Sequence, residues 1–205
     1  MPGNLFIISA PSGAGKTSLV QALLNINPQI DMSVSYTTRE PRLGERDGKD
    51  YHFVSRETFV AMSERGEFLE SAEIYGNLYG TSQTWISHEI TRGRDILLEI
   101  DWQGAAQIRR MFPECVSVFI LPPSKQALEE RLKKRGKDND AVIAKRMAAV
   151  QQEVAHIAEF DYVIINDNLN EALRELNAVV LSAKLRRERQ LALHQDLINQ
   201  LQNPE

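Results

Sequence analysis

The sequence predicts an α/β fold: a parallel sheet covered by helices, interrupted by a smaller inserted unit with short strands and carrying a helical lid. Three observations point to it. Four short apolar runs recur along the chain, "LFII" (5–8), "ILLEI" (96–100), "VSVFIL" (116–121) and "YVII" (162–165), with helix-like sequence between them, as at 125–135 and 140–159. Such runs have the length and the continuous apolarity of strands buried on both faces, which is what a parallel sheet under helices requires. The first run leads directly into a glycine-rich loop and then into a helical pattern. Residues 34–92 break the alternation with Pro41, several glycines and the β-type runs 51–54 and 68–69.

Along the chain, residues 5–8 are a strand bounded by Gly3 and Ser9. The loop that follows, "APSGAGKT" (10–17), matches the phosphate-cradling pattern G-x-x-x-x-G-K-[ST] except that Ala10 fills the first glycine slot. Glycine is needed in such a loop only where φ is positive or the main chain touches the ligand. Ala10 precedes Pro11, which pushes it into the extended region that any L-residue reaches, so the alanine is tolerable. Gly13, Gly15, Lys16 and Thr17 remain. From Thr17, the apolar Leu19, Val20, Leu23 and Leu24 lie at helical spacing, so strand, loop and helix follow in the order the motif requires. Ser12 and Ser18 read equally well as loop and helix-start residues. The segment 124–150 is strongly basic and helix-like, a candidate lid. The tail 171–200 reads as helix with Leu173, Leu176 and Val180 on one stripe, and Leu191, Ile198 and Leu201 further on offer a possible contact between subunits.

Composition excludes several classes. The 205 residues are 42% hydrophobic and 25% charged, ordinary for a soluble globular chain, and suffice for one sizeable core. A net charge of −4 argues against a nucleic-acid polymer as partner. Cys115 is the single cysteine, which rules out a disulfide framework and reads as a buried thiol. The start "MPGNLFIIS" has neither a charged flank nor a long apolar run, so no signal peptide or membrane span is expected, and the expected location is cytoplasmic. His52, His88, His156 and His194 show no paired metal-ligand spacing.

The stretch "SVSYTTREPRLGERDGKDYHF" (33–53) carries Arg39 and Arg42 around Pro41, and Tyr51 after a glycine-rich turn. Two guanidinium forks and a phenol suit a phosphate monoester; a solvated polar loop would also account for this segment taken alone. Further on, "FLESAEIYGNLYGTS" (68–82) offers Glu70, Tyr79 and Thr81. The motif "EIDWQG" places Glu99 and Asp101 at the carboxyl end of a strand, the edge of an α/β sheet where ligands bind.

Taken together, "APSGAGKT", the 33–53 block, "GNLYGTS", "DWQG", "LPPS", "RLKKRG", "AKRM" and "DYVIIND" resemble the guanylate kinases, through nearly the whole chain. The S-x-T-T-R-x-P-R-x-G-E block is far more specific than the phosphate loop alone. The resemblance implies a P-loop NTPase-like core at 1–33, 93–123 and 151–205, an inserted mixed α/β GMP-binding subdomain at 34–92, and a lid at 124–150. It implies transfer of the γ-phosphoryl group of ATP to GMP with Mg²⁺. ATP would lie along Ala10, Pro11, Ser12, Gly13, Ala14, Gly15, Lys16, Thr17 and Ser18, with Asn166 near adenine and the Thr17 hydroxyl on the metal. Ser35, Glu70, Thr81 and Asp101 would read guanine; Arg39, Arg42, Tyr51 and Tyr79 would hold its phosphate. Lys16, Arg42 and the lid arginines Arg131, Arg135 and Arg146 would serve the transferring phosphoryl, although a solvated basic helix face also explains the lid segments. Glu99, where relatives also carry Asp, would support the metal from behind. Two other readings stand beside this one: a non-catalytic phosphopeptide-binding module of the same fold, and a P-loop kinase for another small phosphorylated acceptor.

Overall fold

The computed structural model describes residues 2–134 and 140–202. In chain order the elements are β1 (Leu5–Ser9), α1 (Lys16–Ile26), β2 (Ile30–Met32), β3 (Tyr36–Thr37), β4 (His52–Phe53), α2 (Arg56–Glu64), β5 (Phe68–Ile74), β6 (Asn77–Ser82), α3 (Gln83–Thr91) and β7 (Asp95–Glu99). They continue with α4 (Trp102–Met111), β8 (Val116–Leu121), α5 (Lys125–Lys134), α6 (Asp140–Val154), β9 (Tyr162–Ile165), α7 (Leu169–Lys184), α8 (Arg187–Leu193) and α9 (Gln195–Gln202).

The expected parallel sheet has five strands in the order β2-β7-β1-β8-β9, all its pairings parallel. Strand β1 lies at its centre, and successive side chains enter opposite layers. Phe6 and Ile8 join Leu97, Val118 and Ile120 under α1 and α7, and Leu5 and Ile7 join Ile96, Leu98 and Phe119 under α3 and α4. Both faces are covered, which explains why these strands are mostly apolar rather than alternating. The outer strand β9 departs from the expectation of a buried run: Ile164 is buried, but Val163 and Ile165 stand about half exposed. It pairs on one side only, with β8.

Residues 34–92 hold a second sheet of four strands in the order β4-β3-β6-β5. The strands β2, β3 and β6 go unmarked by the apolar-run reading because they are short or carry small and polar residues. Between Phe68 and Glu70 the β5–β6 register slips by one residue. Beside the bulge Leu69 and Glu70 are both buried, in different surroundings. Leu69 joins the core layer under α3 and α4, and Glu70 is turned toward the carboxyl ends of the main sheet, where it lines a cleft.

The tail differs from the single helix expected. It breaks into α7, α8 and α9 at Leu185 and His194. Helix α7 packs on the core through Ala172, Leu176, Val179, Val180 and Ala183, whereas Leu191, Leu193, Leu197 and Leu201 are exposed. No described helix is long and apolar enough to cross a membrane.

A buried carboxylate ties the chain's start to this frame. Asp95 Oδ1 accepts from Asn4 N at 2.7 Å and Asn4 Nδ2 at 2.8 Å. Lys184 and Arg189 stand 3.5 and 3.8 Å from it. Asp95→Ala leaves two buried donors unpaired, so we expect a loss of about 2–3 kcal/mol. Urea denaturation measures it, and unchanged stability rules the tie out.

Candidate active site

The loop expected to cradle phosphate has a backbone suited to the task. Gly13 and Gly15 take φ of 94° and 90°, and Tyr75 is the one non-glycine among the described residues with a positive φ. Ala10 therefore sits on the ordinary side of the map, as Pro11 behind it dictates. Ala14 is fully buried. Its N–H donates to Pro11 O at 3.1 Å, and its carbonyl accepts from Asn166 Nδ2 at 2.8 Å and from Arg131 Nη1 at 3.4 Å. With that carbonyl held below, the loop can turn backbone N–H groups toward the cleft. Gly15 caps α1, and Lys16 in the helix's first turn donates its ammonium to Ile100 O at 3.1 Å, which lays the side chain across the end of β7.

The cleft beyond the loop has two continuous lobes, with volumes of about 380 and 220 Å³. Thr17, Ser35, Arg42, Tyr51, Glu99 and Arg146 line both. The smaller lobe adds Ala10, Pro11, Ser12, Gly13, Gly15 and Lys16 at one end and Glu70, Tyr79 and Asp101 at the other. Elements far apart in sequence thus bring the phosphate loop and the 34–92 residues to a single cavity. Arg146 of α6 donates to Ser12 Oγ at 3.3 Å, and Thr17 Oγ1 donates to Glu99 Oε1 at 2.6 Å.

At the far end Glu70 accepts from the Thr81 hydroxyl at 2.6 Å, and Ser35 Oγ lies 3.4 Å from Thr81 Oγ1. Burial pushes the Glu70 carboxyl up to about 7; the Thr81 bond pulls it down, and the charge of Asp101 adds to the rise. Asp101 caps α4 through Gly104 N at 3.0 Å, and its second oxygen accepts from Gln103 Nε2 at 3.1 Å. A Cβ on Gly104 would stand 2.5 Å from Glu70 Oε2, so a glycine there makes room for the carboxylate. Nearer the loop, Arg39 makes a two-pronged ion pair with Glu45 at 2.9 Å on each oxygen, and its guanidinium stands 5.4 Å from the Tyr51 ring centre. Tyr51 packs edge-on to Tyr79, and burial pushes its phenol up to about 12.

A family model described as guanylate kinase matches residues 2–183. The chain belongs to the guanylate kinase family. It is 58% identical to the guanylate kinase of Aromatoleum aromaticum over 194 residues, 95% of each chain. It is 52% identical to that of Vibrio cholerae over 201 residues, 97% of each. The crystal structure of guanylate kinase from Anaplasma phagocytophilum superimposes with a TM-score of 0.79 at 34% identity, covering 98% of this chain and 96% of that one.

The structure brings most of the residues expected at the site together, but not all line the cleft. Ala14, Asn166 and Arg131 lie beneath the loop, where Arg131 Nη2 also donates to Asn166 O at 2.9 Å. Ser18 is on the exposed side of the first turn of α1. Thr81 is fully buried behind Glu70, and Arg39 faces Glu45. Arg135 lies outside the described residues. Sequence reasoning missed Gly104, Gln103 and Glu45. Of these, Glu45 had a signal, because it closes the R-x-P-R-x-G-E block; Gly104 reads from sequence only as a weak helix residue.

Gly15→Ala forces a Cβ into the left-handed region and against Asn166 Nδ2, which would have to release Ala14. We expect a loss of about 2–3 kcal/mol. Chemical denaturation measures it, and a neutral result overturns this account of the loop.

Proposed function

We infer that this protein transfers the γ-phosphoryl group of ATP to GMP, giving ADP and GDP. The observation that carries the reading is the composition of one cleft, which has a phosphate loop at one end and a buried carboxyl with two hydroxyls at the other. Guanine offers N1–H and N2–H₂ as donors and O6 as acceptor, so an ionised Glu70, with Asp101 beside it, suits the first edge and the Ser35 hydroxyl suits the second, while Thr81, buried behind Glu70, donates its hydroxyl to that carboxylate instead of to the base. Adenine would set its unprotonated N1 against Glu70 and leave a buried acceptor unpaired. The phosphopeptide-binding alternative has nothing in its favour beyond the shared fold.

In this reading Arg39, Arg42, Tyr51 and Tyr79 hold the GMP phosphate. Glu45 keeps the Arg39 fork oriented and balanced in charge until the phosphate arrives. Gly13, Gly15 and Lys16 hold the β- and γ-phosphates of ATP, and Arg146 approaches from the lid. An oxygen of the GMP phosphate bonds to the γ-phosphorus as the bond to the β,γ-bridging oxygen breaks, and ADP leaves with that electron pair. The attacking oxygen is already ionised, so no general base is needed; charge neutralisation and alignment are the catalytic demands. Arg131 acts from below by bracing the loop, with its Nη atoms on Ala14 and Asn166.

Thr17 Oγ1 and Glu99 Oε1 are hard oxygen donors 2.6 Å apart facing the cleft, and they fit a magnesium ion that takes its other ligands from phosphate and water. Among the described residues no group of three His, Cys, Asp or Glu side chains forms a metal cage. Bound with ATP, the ion would supply further neutralisation of the phosphates. Nucleotide substrates agree with a cytoplasmic setting, and the exposed leucines of α8 and α9 support a contact between copies of the chain.

Initial rates with ATP and each of GMP, AMP, CMP and UMP test the reading, and a preference for any acceptor other than GMP overturns it. The pH dependence tests the role of Glu70. Its carboxyl is raised to about 7, so the charged form that guanine needs is lost as pH falls through that value. The same shift makes the empty protein less stable as pH rises from the ordinary carboxylate range past 7, because ionisation is penalised in the folded state. We expect KM for GMP to rise by up to about tenfold per pH unit below 7, with KM for ATP nearly flat. Glu70→Gln should abolish that dependence and raise KM for GMP about tenfold to a hundredfold. A mutant that keeps the wild-type profile overturns the assignment.

A further inference from the structure

The β5–β6 hairpin turns in two residues, Tyr75 and Gly76, with φ of 50° and 83°. Both central positions of such a turn favour glycine, asparagine or aspartate, and a bulky aromatic at the first is an outlier. The Tyr75 side chain reaches out of the hairpin to the lid. Its hydroxyl donates to Glu153 Oε1 of α6 at 3.4 Å, and its ring centre lies 5.9 Å from the guanidinium carbon of Arg146. Arg146 in turn meets Ser12 of the phosphate loop. Burial, followed by the Glu153 charge, pushes the Tyr75 phenol up to about 12, so it retains its proton and donates.

Glu153 is the other half of the contact. Its Oε2 is buried and has no hydrogen-bond partner, an expensive state for a carboxyl. Burial pushes its pKa up, while the Ser12 backbone N–H and Lys16 pull it down. The carboxyl therefore sits among three elements: the C-terminal end of α6 that carries it, the phosphate loop, and the acceptor hairpin.

We propose that Tyr75 and Glu153 form a clasp between the β5–β6 hairpin and α6 that couples the two ends of the cleft. Filling the acceptor end holds the hairpin in place, and through the clasp this keeps α6 and Arg146 over the phosphate loop, so the donor nucleotide binds more tightly. Both are positioning residues for Arg146 and the loop. The clasp rests on the ATP and GMP reading above.

The test measures the Kd of a non-hydrolysable ATP analogue with Mg²⁺ by calorimetry, without GMP and with saturating GMP; the ratio of the two is the coupling factor. Wild type should show a factor above one. Tyr75→Phe, which keeps the ring and removes the hydroxyl, should lower it about fivefold or bring it to one, the value of one hydrogen bond. Glu153→Ala should do the same, and Glu153→Gln, which still offers an acceptor oxygen, should retain most of the coupling. The double variant Tyr75→Phe/Glu153→Ala should be no worse than Tyr75→Phe. A wild-type factor of one, an unchanged factor in Tyr75→Phe, or losses that multiply in the double variant would each overturn the clasp. So would an equal weakening of each nucleotide bound alone, which a purely structural role would give. Circular dichroism checks folding, and Tyr75→Phe decides the matter if Glu153→Ala misfolds. Absence of wild-type turnover with ATP and GMP would defeat the functional reading; turnover with a coupling factor insensitive to Tyr75 would defeat the clasp alone.

Discussion

A loop that presents N–H groups to an anion must first dispose of its carbonyls, and in this protein that task falls largely on the carbonyl of Ala14. Held from below by Asn166 and Arg131, it fixes the peptide plane between Gly13 and Gly15. The two glycines are free to take the positive φ this arrangement needs. Asn166 directly follows β9, and its own N–H donates to Leu121 O at 2.7 Å. Arg131 comes from α5, anchored in the interior by Leu128 and Leu132. The phosphate loop is thus braced against the edge of the sheet and the base of the lid, although none of its residues reads in sequence as a contact of either.

The acceptor end meets a different constraint. In the proposed reading a carboxyl there must be dry enough to discriminate between bases yet remain able to ionise when guanine offers donors. Glu70 is buried beside the β-bulge of β5, Gly104 leaves space for it, and Thr81 gives it one hydrogen bond. One bond is too little to hold it fully charged, which is why burial wins and the carboxyl rises to about 7. Full satisfaction by the protein would have kept it ionised but left fewer lone pairs for the base. Arg39 shows the opposite solution: its Nη2 donates to both oxygens of Glu45, so its charge is already paired.

Sequence made the central strands legible because burial on both faces writes an unbroken apolar run, as in β1, β7 and β8. It failed where tertiary context replaces that signal. Strand β3 is two residues long and exists by pairing alone, with β4 on one side and β6 on the other. The exposed half of β9 follows from its place at the edge, which a local pattern does not encode. The tail reads as one helix because its leucines recur at helical spacing, but the chain breaks at Leu185 and His194, beyond the part that packs on the core. At the site, residues with distinctive chemistry were visible, including Lys16, Glu70 and Arg146. Gly104 was not, because its contribution is an absent side chain.

The two ends of the cleft also differ in how firmly they are built. Strand β5 is clamped to α4 by Gln107, which donates to Ser71 O at 2.8 Å and accepts from Ser71 N at 3.2 Å. Glu70, the neighbour of Ser71, is therefore fixed to the same helix that Asp101 caps. The loop carrying Arg42 and Glu45 is mostly exposed and is held by short-range contacts within itself, such as Arg42 N to Glu45 Oε2 at 2.7 Å and Arg46 N to Asp50 Oδ2 at 2.8 Å. Discrimination between bases depends on hydrogen bonds whose value collapses with small displacements, whereas attraction between a guanidinium and a phosphate falls off slowly with distance. In the proposed reading the first task falls on a strand locked to the core and the second on a loop, so that phosphate capture would tolerate movement that base recognition would not.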